Sequence, residues 1–199
     1  MNIDNITDQD RNKNIEKLRR NRPQLLRIIS SANDFQMSLS ALTWFMEELN
    51  SKEKFTELQI RKMRCFESVA VIAFCRPFIK SRSQTSLSRK LIGVTFSSDD
   101  EFLFQKLKRA RNNYIAHSDE EGMHFLVDSF PISVVNKMQI PHMTFDNGLL
   151  LTKPEYYQLE DMLHGLLHAV HAIIWEFTQR YPKEIKMYKQ FKNQSPNRA

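Results

Sequence analysis

The run CFESVAVIAFC, residues 65–75, carries one charged side chain, Glu67, and is apolar around nearly the whole circumference of a helix. A helix of that kind has to be buried on several sides, so it predicts the centre of a bundle. The pattern places the helix over residues 55–78, with Pro77 ending or kinking it. A carboxylate buried there needs a partner. Arg64, one turn back, is the simplest candidate. The alternative is that Glu67 reaches across a helix pair and orients Arg111 or His117.

Other stretches share the helical period. Phe35, Leu39, Leu42, Phe45, Met46 and Leu49 predict a helix over residues 34–50, capped by Asn33 or Asp34, with Trp44 off the stripe. Residues 14–30 are mixed, and Pro23 is expected to break or restart a helix there. Ser97 or Ser98 can cap a further helix, Ser98 and Glu101 having capping-box spacing, and Phe102, Leu103, Leu107, Ala110 and Tyr114 are its expected buried face. Thr152 is expected to cap the last long helix, with Pro154 and Glu155 in its first turn. Its stripe runs through Leu159, Leu163, Leu166, Leu167, Val170, Ile173, Ile174 and Phe177. Only four Gly and seven Pro interrupt the chain, and the expected fold class is all-α.

The 199 residues predict a single domain, 1–199, with flexible ends over 1–12 and about 183–199. No apolar run approaches the ~20 residues of a membrane span, and the polar N-terminal stretch does not read as a signal peptide. Cys65 and Cys75 stand ten residues apart on one helix, about 15 Å along its axis and too far to bridge. They are expected to be free, buried thiols of a reducing, cytoplasmic setting. The net charge of +6 favours an anionic partner.

The densest group of chemistry-bearing side chains is KRARNNYIAHSD, residues 108–119, at the end of the helix that Ser97 or Ser98 opens. Arg111, Asn112 and His117 fall within seven residues, with Tyr114, Ser118 and Asp119 among them. His117 has the pKa range of a general base near neutrality. Arg111 can hold a phosphate through two parallel N–H bonds and stabilise charge in a transition state. Asn112 can position the phosphate or fix a histidine tautomer. Tyr114 reads as core, as a stacking platform or as a hydroxyl donor. Ser118 and Asp119 read as partners of His117 or as a helix-exit turn.

An Arg-Asn pair followed by Ala-His-Ser-Asp at a helix end resembles the motif of HEPN domains, especially those of the abortive-infection and toxin type. The resemblance is sharp over residues 106–120 and diffuse over residues 34–180. It implies a HEPN-like helical bundle and a metal-independent RNA endonuclease of phage defence or toxin systems. No cofactor and no metal are implied. The catalytic residues it implies are Arg111, Asn112 and His117, with Tyr114, Ser118, Asp119 and Glu67 in support. The products would be a 2′,3′-cyclic phosphate and a 5′-hydroxyl. It further implies RNA as partner, a homodimer with the two motifs facing, and an antitoxin or regulatory protein. On an ideal helix the six-residue step leaves His117 ~120° from Arg111. The helix must therefore end near Ala116, or the site must be shared across a dimer axis. The alternative is a non-catalytic helical module that binds RNA, a nucleotide or a protein.

Four further features frame the motif. Residues 61–90 hold eight Lys or Arg against one acid, and Arg82, Arg89, Lys90, Lys108 and Arg109 are the expected RNA contacts. The basic residues at 19–22 and the tail after Arg180 are a second possible edge for phosphates. Residues 123–151 carry β-branched and apolar residues, interrupted by Pro131 and Pro141, with a turn signal at Asp146-Asn147-Gly148. They predict a short extended or β-hairpin insertion. His164, His168 and His171 lie on one face of the last helix, read as a polar outer face or dimer contact rather than a metal site.

Overall fold

A computed structural model describes residues 2–3, 8–50, 54–80, 85–115, 125–133, 138–145 and 148–185. The chain is mostly helical. In order it forms β1 (Asn2–Ile3), α1 (Asp8–Arg20), α2 (Arg22–Asn50), α3 (Glu57–Cys75), a 3-10 turn (Arg76–Phe78) and α4 (Arg89–Ile92). There follow β2 (Val94–Thr95), α5 (Ser98–Ala110), a π turn (Arg111–Ile115), β3 (Phe125–Ser133), β4 (Met138–Phe145), α6 (Lys153–Arg180) and α7 (Pro182–Ile185).

The centre is α2, α3 and α6. Helices α2 and α3 are antiparallel neighbours, tied by Asp34 to Arg76 at one end (2.7 Å) and by Glu48 to Lys62 at the other (2.7 Å). Between these the Ser38 hydroxyl donates to the Ala70 carbonyl at 2.8 Å. The run around α3 is buried as its composition demands: Ala70, Val71, Ala73, Phe74 and Cys75 are at most 1% exposed. Cys65, expected to be buried, is exposed. It stands on the outer side of α3 in line with Val69, which is also exposed.

Helix α2 is longer than its apolar stripe suggests. The side-chain oxygen of Asn21 accepts the Gln24 N–H at 3.3 Å and serves as the cap. Pro23 then occupies the first turn, where its missing N–H has no partner to lose. It opens the helix rather than breaking it. Asn33 and Asp34, the expected cap, lie in the middle of this 29-residue helix. Asp34 is 5% exposed and spends its charge on Arg76 and Arg27.

Arg27 is itself 3% exposed. Its Nε donates to the Pro77 carbonyl at 3.0 Å, and its Nη2 donates to the Arg76 carbonyl. The guanidinium thus adds a second donor to carbonyls that also accept the Ile79 and Leu87 N–H groups, just beyond the C-terminus of α3, where a cation suits the helix dipole.

Glu67 does something neither sequence alternative anticipated. It is 4% exposed, and its carboxylate accepts three hydrogen bonds. The backbone N–H groups of Leu150 and Leu151 donate at 2.9 Å each, and the Tyr156 hydroxyl donates at 2.5 Å. It fixes the chain where it enters α6 and does not serve Arg111. Burial, then the Glu67 charge and hydrogen bond, push the Tyr156 hydroxyl above its ordinary range, so it stays a donor. The Tyr156 ring stacks on Phe45 of α2 with centroids 4.1 Å apart.

Thr152 and Glu155 close the capping box of α6, with the Thr152 N–H donating to the Glu155 carboxylate at 2.8 Å. Leu159, Leu163, Leu166, Val170 and Phe177 of its stripe are fully buried. On α5, Phe104 is buried among Phe74, Phe78 and Phe96, whereas Phe102, expected in the core, is 66% exposed.

The N-terminal end differs from expectation, and the insertion is the hairpin that was one of its two expected forms. Helix α1 begins at Asp8, inside the stretch expected to be a flexible end, and Asn2–Ile3 pairs antiparallel with Val94–Thr95. The insertion pairs as an antiparallel hairpin from Phe125↔Phe145 to Ser133↔Met138. The two strands end at Ser133 and begin again at Met138, and Asp146 and Asn147 of the expected turn signal lie outside the described residues. Pro131 and Pro141 lie inside the strands, at the pairs Pro131↔Gln139 and Ser129↔Pro141. These pairs are two residues apart and therefore of the same kind. Both prolines can occupy non-hydrogen-bonded positions of an edge, where no N–H is needed.

Replacing Glu67 by Ala leaves two backbone N–H groups and the Tyr156 hydroxyl without their buried acceptor. Urea denaturation should show a loss of about 3 kcal/mol, and of about 1 kcal/mol for Tyr156→Phe, which removes one donor only.

Candidate functional site

Helix α5 presents the motif. Its start is fixed by a capping box in which Ser97 and Asp100, not Ser98 and Glu101, exchange hydrogen bonds. The Asp100 carboxylate accepts the Ser97 N–H at 3.1 Å and the Ser97 hydroxyl at 2.7 Å, and also the Gln158 amide at 3.2 Å. Burial works against this carboxylate, but the bonds from Ser97 and Gln158 outweigh it and hold Asp100 down at about 2. One face of α5 carries Leu103, Phe104, Leu107 and Ala110 into the core. Lys106, half-buried, is paired with Glu155 of α6 at 2.7 Å.

After Ala110 the α-helical ladder gives way to a π turn over Arg111–Ile115. Such turns hold one residue more per hydrogen-bonded ring than an α-helix and re-aim the side chains they carry. The residues of the expected motif up to Ile115 therefore do not follow the ideal-helix spacing.

Arg111 is half-buried in this turn. Its Nη1 donates to the Asn112 side-chain oxygen at 2.9 Å, so the two adjacent motif residues are held together. Among the described residues no carboxylate pairs with Arg111 or with Lys108, one turn before it. Both cations bear on Cys75 at the end of α3. Burial pushes the Cys75 thiol up to about 12 against the opposing pull of Arg111 and Lys108. Arg109 is exposed beside them. The result is a half-buried guanidinium, backed by a second cation and steadied by an amide, with bonds to spare for an anion.

The remaining expected site residues divide clearly. His117, Ser118, Asp119 and Arg82 lie outside the described residues. Tyr114 lies in the π turn. Glu67 belongs to the entry of α6, as described above. Arg89 was expected to contact RNA, but its guanidinium pairs with Glu101 at 2.7 Å and lies over the Phe96 ring at 4.4 Å. It braces α4 against the start of α5. Lys90 next to it is exposed. Ten residues of α5 separate Glu101 from Arg111, about 15 Å. The structure therefore brings Lys108, Arg109, Arg111 and Asn112 together and leaves Arg89 and Lys90 at the other end of the helix.

His164, His168 and His171 are exposed on α6. Among the described residues no three His, Cys, Asp or Glu side chains gather so that they could hold a metal ion. None of the described helices is long and apolar enough to cross a membrane. Outside the motif, the sequence reading did not single out Lys13 and Lys17 of α1 or Arg180 at the end of α6. The signal was present in part, as cations recurring at helical spacing on α1.

Two outcomes test this geometry. Cys65 should react with a thiol reagent at pH 8 in the folded protein and Cys75 only after unfolding, read as one thiol and then two. The ionised Asp100 stabilises the fold fully above its unfolded value of about 3.9, and this is lost as pH falls toward the folded value. The urea midpoint of the wild type should therefore fall more steeply between about pH 5 and pH 2 than that of Asp100→Asn.

No family model matches this chain, and no curated protein or solved structure is similar to it.

Proposed function

We propose that the chain is an endoribonuclease of the HEPN type, working without a metal ion in phage defence or as a toxin. The observation that carries this reading is Arg111: a half-buried guanidinium in a π turn, bonded to Asn112 and unpaired with any acid among the described residues. A phosphodiester is the ligand such a fork is suited to hold. The rest comes from the sequence motif.

In the proposed reaction His117 takes the proton of an RNA 2′-hydroxyl. The freed oxygen attacks the adjacent phosphorus, the bond from phosphorus to the 5′-oxygen breaks, and that oxygen takes a proton from solvent water and leaves as a hydroxyl. A 2′,3′-cyclic phosphate remains on the other fragment. Arg111 stabilises the charge that grows on the non-bridging oxygens. Asn112 fixes the guanidinium, and Lys108 and Arg109 hold flanking phosphates. A homodimer would set two motifs face to face, and an antitoxin or regulatory protein would keep the activity in check.

Purified protein incubated with mixed RNA in EDTA should produce cyclic-phosphate ends. Arg111→Ala should slow this by about 10²–10³-fold, the usual loss for one transition-state donor. Arg111→Lys should recover little, because an ammonium lacks the two-pronged geometry. His117→Ala should abolish cleavage without loss of fold. Cleavage by His117→Ala would overturn the mechanism. Intact RNA with folded wild-type protein would favour a helical module that binds without cutting.

A further inference from the structure

At the opposite end of the molecule, α1 and the last turn of α6 enclose a cleft of about 600 Å³ lined by Asn12, Lys13, Glu16, Lys17, Arg20 and Arg180. We infer that this cleft is a second anion site, which binds the phosphodiester backbone of a single-stranded nucleic acid. Lys13, Lys17 and Arg20 recur at steps of four and three residues along one face of α1. They form a row about 10 Å long. Arg180 stands on the facing wall.

The acids of this corner are already engaged. The Glu16 carboxylate accepts the Tyr181 hydroxyl. Glu176 accepts from Arg180 at 2.7 Å, and Asp10 lies 4.0 Å from Lys13. Glu184 pairs with Arg19 at 2.9 Å, and the Arg19 guanidinium covers the Tyr181 ring at 4.7 Å. Lys17 and Arg20 are exposed and have no acidic partner among the described residues.

The shape of the site selects its ligand. A row of exposed cations suits successive phosphates better than one phosphate, which would call for converging donors. Tyr181 offers no free face to a base, since Arg19 covers the ring and Phe177 packs against it at 5.2 Å. Recognition is therefore of the backbone, without reading sequence. A membrane surface fits poorly. A surface-lying helix needs exposed apolar side chains among its cations, and the apolar residues of α1, Ile15 and Leu18, are fully buried.

This site is separate from the motif. Glu155, which holds Lys106 near the motif end of α5, and Arg180 are 25 residues apart on α6. That spacing is about 37 Å along the helix. The inference does not depend on cleavage at Arg111.

The test is fluorescence anisotropy with a labelled single-stranded oligodeoxynucleotide, which lacks the 2′-hydroxyl and cannot be cut by its attack. Lys17→Ala with Arg20→Ala should weaken binding by about tenfold. It should also lower the slope of log affinity against log salt by about 1.4, the value for two lost contacts to a single strand. Both residues are exposed, and circular dichroism checks that the fold is kept. Lys17→Glu with Arg20→Glu should weaken binding further. Unchanged affinity and slope in both double variants would overturn the inference. So would loss of binding in Arg111→Ala alone, which would place the strand on the motif. Binding of phosphatidylserine vesicles that the double variants abolish, with oligonucleotide binding intact, would also overturn it. The failure of the nuclease reading is seen elsewhere, in the ends of RNA products.

Discussion

The carboxylate of Glu67 is buried in the apolar middle of α3. A carboxylate in such a place is tolerated only if its oxygens are bonded. Here the donors come from far along the sequence, from the Leu150 and Leu151 backbone and the Tyr156 hydroxyl. The bonds therefore determine where the chain enters α6. Tyr156, held by its hydroxyl, stacks its ring on α2. One side chain of α3 thus links three helices. The Arg27 guanidinium does the complementary work at the other end of α3, where it donates to carbonyls of the 3-10 turn and shares Asp34 with Arg76.

With α3 and α6 fixed, the placement of α5 follows. It packs its apolar face against the aromatic group of Phe74, Phe78 and Phe96 and is pinned to α6 by Asp100–Gln158 and Lys106–Glu155. That leaves its last turn beside Cys75, where Lys108 and Arg111 gather. Neither makes an ion pair with an acid among the described residues, and only Glu101, already paired with Arg89, acts on Lys108 at longer range. A protein that carried these cations only to finish a helix dipole would not need Arg111 half-buried and held by a neighbouring amide. The functional reading rests on that difference.

Much of the fold was legible in the sequence because burial and helical period coincide. The stripe of α6, its Thr152 cap and the buried run of α3 all follow from the spacing of apolar residues. What was illegible depends on partners distant in sequence. Pro23 reads as a breaker until Asn21 is seen to cap the helix ahead of it. Asp34 reads as a cap until Arg27 and Arg76 are found to share it. Arg89 looks like a free cation in a basic loop, and only the fold supplies Glu101 and the ring of Phe96. At the motif, neither the bond from Arg111 to Asn112 nor the π turn was expected, since Asn112 reads in the sequence as a partner of the phosphate or of a histidine. Nothing in the residue types of RNNYI marks where an α-helical ladder will slip by one.

That slip has a consequence for how this chain tolerates change in length. A π turn is, in effect, one residue lodged in a helix without being absorbed into its phase. Deleting a single residue from 111–115 would let α5 continue as an ordinary helix, and everything after it would turn by about 100° around the axis. The buried residues of α5 itself, Leu103, Phe104, Leu107 and Ala110, lie before the slip. The fold and the aim of the motif are thus separable here: the frame of the helix can be kept while the direction of its last polar residues is reset.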